Sequence, residues 1–133
     1  MAVIDLSPDI LESTLLENDY VLIDFWSPSC APCRSFKPVF AKASEGHSEI
    51  CFTSCNTQEQ PELAQAFGIQ SIPTLVVFRE QVLILSQVGA MADAALETLI
   101  NKIKSLNMDE VRARVAEQEK KLAQSEASKE SDS

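Results

Sequence analysis

The chain has 133 residues, 45% of them apolar, with three glycines and six prolines. That composition suits one domain with a packed core and excludes a collagenous or linker-dominated chain. The net charge of −9 is spread along the chain, with 13 acids and 6 bases in residues 1–107 and 7 acids and 5 bases in residues 108–133. Neither nucleic acid nor an anionic membrane is therefore an expected partner, because binding either draws on clustered basic groups. No apolar run reaches the ~18 residues of a membrane span. The N-terminal MAVIDLSPDI has no basic start and carries Asp5 and Asp9, so it does not read as a secretory signal. The expected compartment is the cytoplasm.

In chain order, Ala2 to Ile4 reads as an edge strand, and Ser7-Pro8-Asp9 as a helix start with a capping serine and a proline in the first turn. Tyr20 to Trp26, YVLIDFW, is almost continuously apolar, as in a strand buried on both faces. A short loop leads into a helix from Cys30 to about Glu45, with Pro38 inside it and Gly46 at its end. Glu49 to Cys55 reads as a second buried strand and Pro61 to Phe67 as a short helix. Thr74 to Phe78 and Val82 to Val88 read as strands joined by a three-residue turn, Arg79-Glu80-Gln81, into an antiparallel hairpin without glycine. Ala92 to Leu106 closes the domain as a helix. The order β-α-β-α-β-α-β-β-α predicts an α/β fold with parallel strands, helices on both faces and an antiparallel edge.

Residues 108–133 differ in character and form a separate segment from the domain at 1–107. Met108, Val111, Val115 and Leu122 make a thin helical stripe, and Glu110–Arg114 and Glu117–Lys121 are favourable i,i+4 pairs. The terminal SEASKESDS has no apolar anchor and is expected to be disordered. A solvated helix and tail is the plain reading; a partner-binding helix is the alternative.

Four cysteines without an export signal suggest catalysis or metal binding rather than a disulfide framework. Two of them, Cys30 and Cys33, open the helix after the YVLIDFW strand. A helix start favours an anion there, and the thiolate is the reactive form of cysteine. Cys33 lies one turn further in on the same face, close enough for the sulfurs to meet, and more buried. Pro32 stiffens the turn between them. Metal binding, a structural bridge and electron transfer all remain open from the spacing alone.

The stretch VLIDFWSPSCAPCRSFKPVF resembles the active-site region of the thioredoxin family. FGIQSIPTLVVF adds the Ile-Pro-Thr segment that carries a cis-proline in that family, and QVGAM adds a glycine of the substrate groove. The resemblance spans about residues 5–106. It implies a thioredoxin fold, a mixed sheet of four to five strands flanked by about four helices, and a thiol–disulfide oxidoreductase that reduces protein disulfides. In that scheme Cys30 attacks a client disulfide and Cys33 resolves the mixed disulfide. Asp24 would be a buried carboxyl of raised pKa that takes the Cys33 proton. Trp26, Ala31 and Pro32 would line the client surface from the helix side. Ile72, Pro73, Thr74, Gly89 and Ala90 would line it from the opposite rim, with the Ile72 backbone offered to an extended peptide. The implied redox group is the Cys30–Cys33 disulfide, with no bound cofactor or metal. Electrons are expected from NADPH through a flavin-dependent thioredoxin reductase, and a monomer is the expected state.

Three departures from the family pattern bear on this scheme. Ser29 stands where tryptophan is usual, and Ala31 replaces the common glycine. Ser54 stands where many members keep a lysine near the buried aspartate, so Asp24 is expected to hold its proton more tightly.

Rival readings are weaker. The spacing C-x2-C, seventeen residues, C-x3-C approaches a zinc ribbon. Cys51 and Cys55, however, fall on one strand, ~13 Å apart when extended. They read as small buried hydrophobes, with Cys55, near the strand end, the more exposed. His47 reads as a solvated turn residue. The functional alternative is a thioredoxin-like binding or co-chaperone adaptor with little turnover. An isomerase would usually carry histidine where Pro32 stands.

Overall fold

The computed structural model describes residues 3–131, with side chains placed for residues 3–124. Among the described residues the chain forms five strands, β1 (Ile4–Asp5), β2 (Tyr20–Trp26), β3 (Ile50–Asn56), β4 (Thr74–Arg79) and β5 (Val82–Val88), and five helices, α1 (Pro8–Glu17), α2 (Ala31–Gly46), α3 (Pro61–Ala66), α4 (Asp93–Lys104) and α5 (Met108–Ser131). Two compact units result, the first reaching Ile103 and the second beginning at Lys104.

The sheet order in the first unit is β1-β3-β2-β4-β5. β1, β3 and β2 run parallel, while β4 is antiparallel to β2 and β5 to β4. β2 is central, and its five middle residues, Val21 to Phe25, are all buried. This is why its sequence shows no polar alternation except at Asp24. One face of the sheet packs Leu22, Phe52, Leu75 and Val77 against α2 and α4 through Phe36, Phe40, Leu96 and Ile100. The other packs Val21, Ile23, Phe25 and Val76 against α1 and α3 through Ile10, Leu11 and Leu63. Side chains alternate along a strand, so Asp24 and Trp26 point to the α2 face, with Leu22.

The Thr74–Phe78 segment departs from the parallel order expected for it. Phe25 is the register partner of both Cys55, near the end of β3, and Thr74, at the start of β4. The chain thus re-enters the sheet at the end it left, on the other side of β2. A parallel return would recross about 23 Å of strand, and the six residues of α3 span only about 9 Å. The hairpin turn is also one residue tighter than expected. Arg79 pairs with Val82, leaving Glu80 and Gln81 as the turn, with φ of 51° and 69°. Both are left-handed, as a two-residue hairpin turn of matching twist requires. Ser7 caps α1 by position but not through its side chain, and Pro38 lies inside α2 without interrupting it.

In the second unit the Asn107 side chain caps α5, accepting hydrogen bonds from the N–H groups of Asp109 (3.0 Å) and Glu110 (3.3 Å). Lys121 and Glu117 form the expected i,i+4 pair at 3.6 Å. The backbone is helical to Ser131. Of the SEASKESDS tail expected to be disordered, residues 125–131 have a helical backbone, and Asp132 and Ser133 lie outside the described residues.

Candidate active site

The C-terminal end of β2 delivers the chain through Ser27–Ser29 to Cys30, the N-cap of α2. Cys30 has an extended backbone (φ −97°, ψ 111°), and its sulfur accepts the Cys33 N–H at 3.2 Å. Cys30 and Cys33 are disulfide-bonded, with Cα atoms 5.2 Å apart. Their environments differ as expected: Cys33 is 1% exposed, whereas Cys30 is half-buried. The Cys30 sulfur lies 3.7 Å from the Ile72 carbonyl oxygen. The Ile72–Pro73 peptide bond is cis.

The loop carrying Ile72 is tied to the hairpin, because the Gly89 N–H donates to the Pro73 carbonyl at 2.8 Å. Gly89 has φ 103°, and a Cβ built there meets no heavy atom within 4 Å. The backbone conformation, not crowding, is what demands glycine here. Thr74 is 3% exposed and donates its hydroxyl to the Ser71 carbonyl, so it braces the loop rather than facing solvent. Ala31, Pro32 and Ala90 are exposed, while Pro73 is buried. Cys30, Ile72 and the Gly89 rim therefore converge.

Asp24 is 3% exposed beneath α2, and its Oδ1 has no hydrogen-bond partner among the described residues. Burial pushes its carboxyl up to about 7, and the charge of Lys37 opposes part of that rise. A cavity of about 300 Å3 runs from Asp24 past Ser54 and Lys37 to Asp5 and Glu45. Nothing in the sequence reading singles out Lys37. Its spacing of four from Cys33, one helical turn along the same face, is the signal that points to it. Gln58 is a second such residue: its amide donates to Ser29 Oγ at 3.2 Å, and Ser29 lies 3.2 Å from Ser27 Oγ. The position usually held by tryptophan thus carries a small hydroxyl network.

Two expectations fail here. Cys55 is fully buried and Cys51 is the partly exposed one. The end of β3 is covered by Leu63 of α3 and by Leu6, so nearness to a strand end does not expose Cys55. Burial raises both thiols, Cys55 to about 11. Cys55 also lies on the sheet face opposite α2, so the four cysteines do not converge as a metal site needs. His47 is not a solvated turn residue. Its side chain is 13% exposed, with Nε2 2.7 Å from Glu97 on α4 and Nδ1 3.6 Å from Glu49.

A helix-start Cys-x-x-Cys disulfide facing a cis-proline loop, over a buried carboxyl, can exchange disulfides. The thioredoxin family profile matches residues 2–104. The chain belongs to the thioredoxin family. A thioredoxin 2-type protein of Streptomyces coelicolor is 48% identical over 116 residues, 87% of each chain. The thioredoxin of Porphyra purpurea is 38% identical over 77% of this chain and 97% of its own. Among solved structures, oxidised mitochondrial thioredoxin 3 of Saccharomyces cerevisiae matches with a TM-score of 0.70 at 27% identity, covering 75% of this chain and 94% of its own. A mutant thioredoxin of Halobacterium salinarum matches with a TM-score of 0.73 at 28% identity, covering 80% and 94%. This thioredoxin is a thiol–disulfide oxidoreductase acting on disulfide-containing substrates, and its redox group is the Cys30–Cys33 pair. Among the described residues, no helix is long and apolar enough to cross a membrane.

Proposed function

We propose that this thioredoxin runs in the reducing direction, with Cys30 as nucleophile and Cys33 as resolving thiol. The Cys30 thiolate attacks one sulfur of a client disulfide and expels the other as a thiolate. Cys33 then attacks the Cys30 sulfur of the mixed disulfide and expels the client's second thiolate. The client gains two electrons, and the Cys30–Cys33 disulfide re-forms. Asp24, whose carboxyl burial raises to about 7, accepts the Cys33 proton as that thiol attacks.

The observation that carries this reading is the position of the Cys30 sulfur, half-buried at a helix start and 3.7 Å from the Ile72 carbonyl. An extended client backbone laid along Ile72 would bring its disulfide to that sulfur. Trp26, Ala31 and Pro32 flank it on the helix side, with Gly89 and Ala90 across the groove; Thr74 acts by bracing the loop. Re-reduction is assigned to a flavin-dependent thioredoxin reductase drawing on NADPH, in the cytoplasm. The segment at 108–133 is a charged appendage to the domain.

Insulin reduction with dithiothreitol as electron source tests the assignment. Wild type and a truncation after Leu106 should both accelerate the reaction, and Cys30→Ser should not. Equal rates for wild type and Cys30→Ser, with aggregation still suppressed, would make the protein an adaptor instead.

A further inference from the structure

The charge environment of Asp24 is built from several elements. β1 brings Asp5 to its cavity, α2 brings Lys37 and Glu45, and β3 brings only the uncharged Ser54, its register partner. On its other side the register partner is Leu75 of β4. Two acids thus share the space with a third, and among the described residues Lys37 is the one cation lining it. Among the described residues no hydrogen bond supports Asp24 Oδ1, so support for charge on that oxygen acts through space.

Lys37 is placed for that work. Its Nζ lies 4.9 Å from the centroid of the Trp26 ring, two residues along β2 from Asp24 and on the same face. The same side chain lines a groove of about 550 Å3 that reaches Cys33 and Pro38. Lys37 therefore borders both the cavity of the carboxyl and the groove of the resolving cysteine.

We propose that Lys37 is a positioning residue for disulfide exchange, a cation supplied by α2 that favours the ionised form of Asp24 where β3 offers only the Ser54 hydroxyl. The bearing on turnover rests on the reading that Asp24 accepts the Cys33 proton; the effect on Asp24 itself does not.

The test uses the full-length oxidised protein, whose active-site sulfurs are locked in the disulfide and do not titrate. The Asp24 carboxyl is titrated by carbon NMR in wild type, Lys37→Met and Lys37→Arg. Lys37 is exposed, so each variant should fold. Lys37→Met should raise the proton affinity of Asp24 roughly threefold or more, and Lys37→Arg should leave it near wild type. An unchanged midpoint in Lys37→Met, or an equal shift in Lys37→Arg, would overturn the proposal. The pH profile of insulin reduction is recorded in parallel. If the carboxyl midpoint moves and the profile does not, the effect of Lys37 on the Asp24 carboxyl stands, while its role in disulfide exchange and the proton-accepting role of Asp24 fall together.

Discussion

The Cys30 sulfur lies 3.7 Å from the carbonyl oxygen of Ile72, and the N–H of Cys33 reaches it from the helix side at 3.2 Å. Backbone groups meet this sulfur from both sides, and the two residues between the cysteines, Ala31 and Pro32, are uncharged. A charge placed between the cysteines should therefore act directly on the couple. Pro32→His puts an imidazolium beside Cys30, which favours the thiolate and hence the reduced form. Titrated against glutathione, wild type is expected near about −270 mV and the variant at least ~30 mV less reducing.

Asp24 gives the fold a pH dependence of known sign. Its carboxyl titrates at about 7 in the folded chain, against ~3.9 when unfolded. Between those values the folded state binds the extra proton, so this contribution to stability is complete below ~4 and is lost as pH rises through about 7. Asp24→Asn has no such charge to lose. Urea denaturation should show its advantage over wild type growing by about 2–4 kcal/mol between pH 4 and pH 8.

The two free cysteines should separate by burial. After reduction, iodoacetamide at neutral pH should modify Cys30 first and partly exposed Cys51 more slowly, because burial raises the Cys51 thiol. Cys55, fully buried and raised to about 11, should react only on unfolding. Peptide mapping by mass spectrometry reads the order.

The β4–β5 turn stores strain that sequence can relieve. Glu80 and Gln81 are both left-handed, a conformation that costs L-residues roughly 1 kcal/mol or more each. Replacing the pair with Asn-Gly should stabilise the domain by about 1 kcal/mol, read as a higher urea midpoint with an unchanged slope.

Much of this was legible in the sequence for physical reasons. β2 falls where its apolar run ends, since burial of the central strand leaves little polar pattern to misread, and β5 falls on its β-branched run although it is a largely exposed edge strand. Cys30 as a helix start follows from the short loop and the proline-stiffened turn of helix formers after it, whereas Asp24 as a buried carboxyl rests on the resemblance to thioredoxins. What failed depends on contacts remote in sequence. The direction of β4 is set by where the short α3 lets the chain return, and the burial of Cys55 by Leu6 and Leu63. The place of His47 is set by Glu97, fifty residues away. The spacing of Lys37 from Cys33 is a local signal, but its place beside Asp24 depends on α2 lying over β2.

The central claim is that Cys30 makes the first bond to the client. Cys33→Ser removes the resolving thiol and should leave the client attached. After reaction of the reduced variant with a disulfide-containing protein, mass spectrometry should find a stable mixed disulfide at Cys30 and none at Cys51. An adduct confined to Cys51, or no adduct at Cys30, would contradict the account.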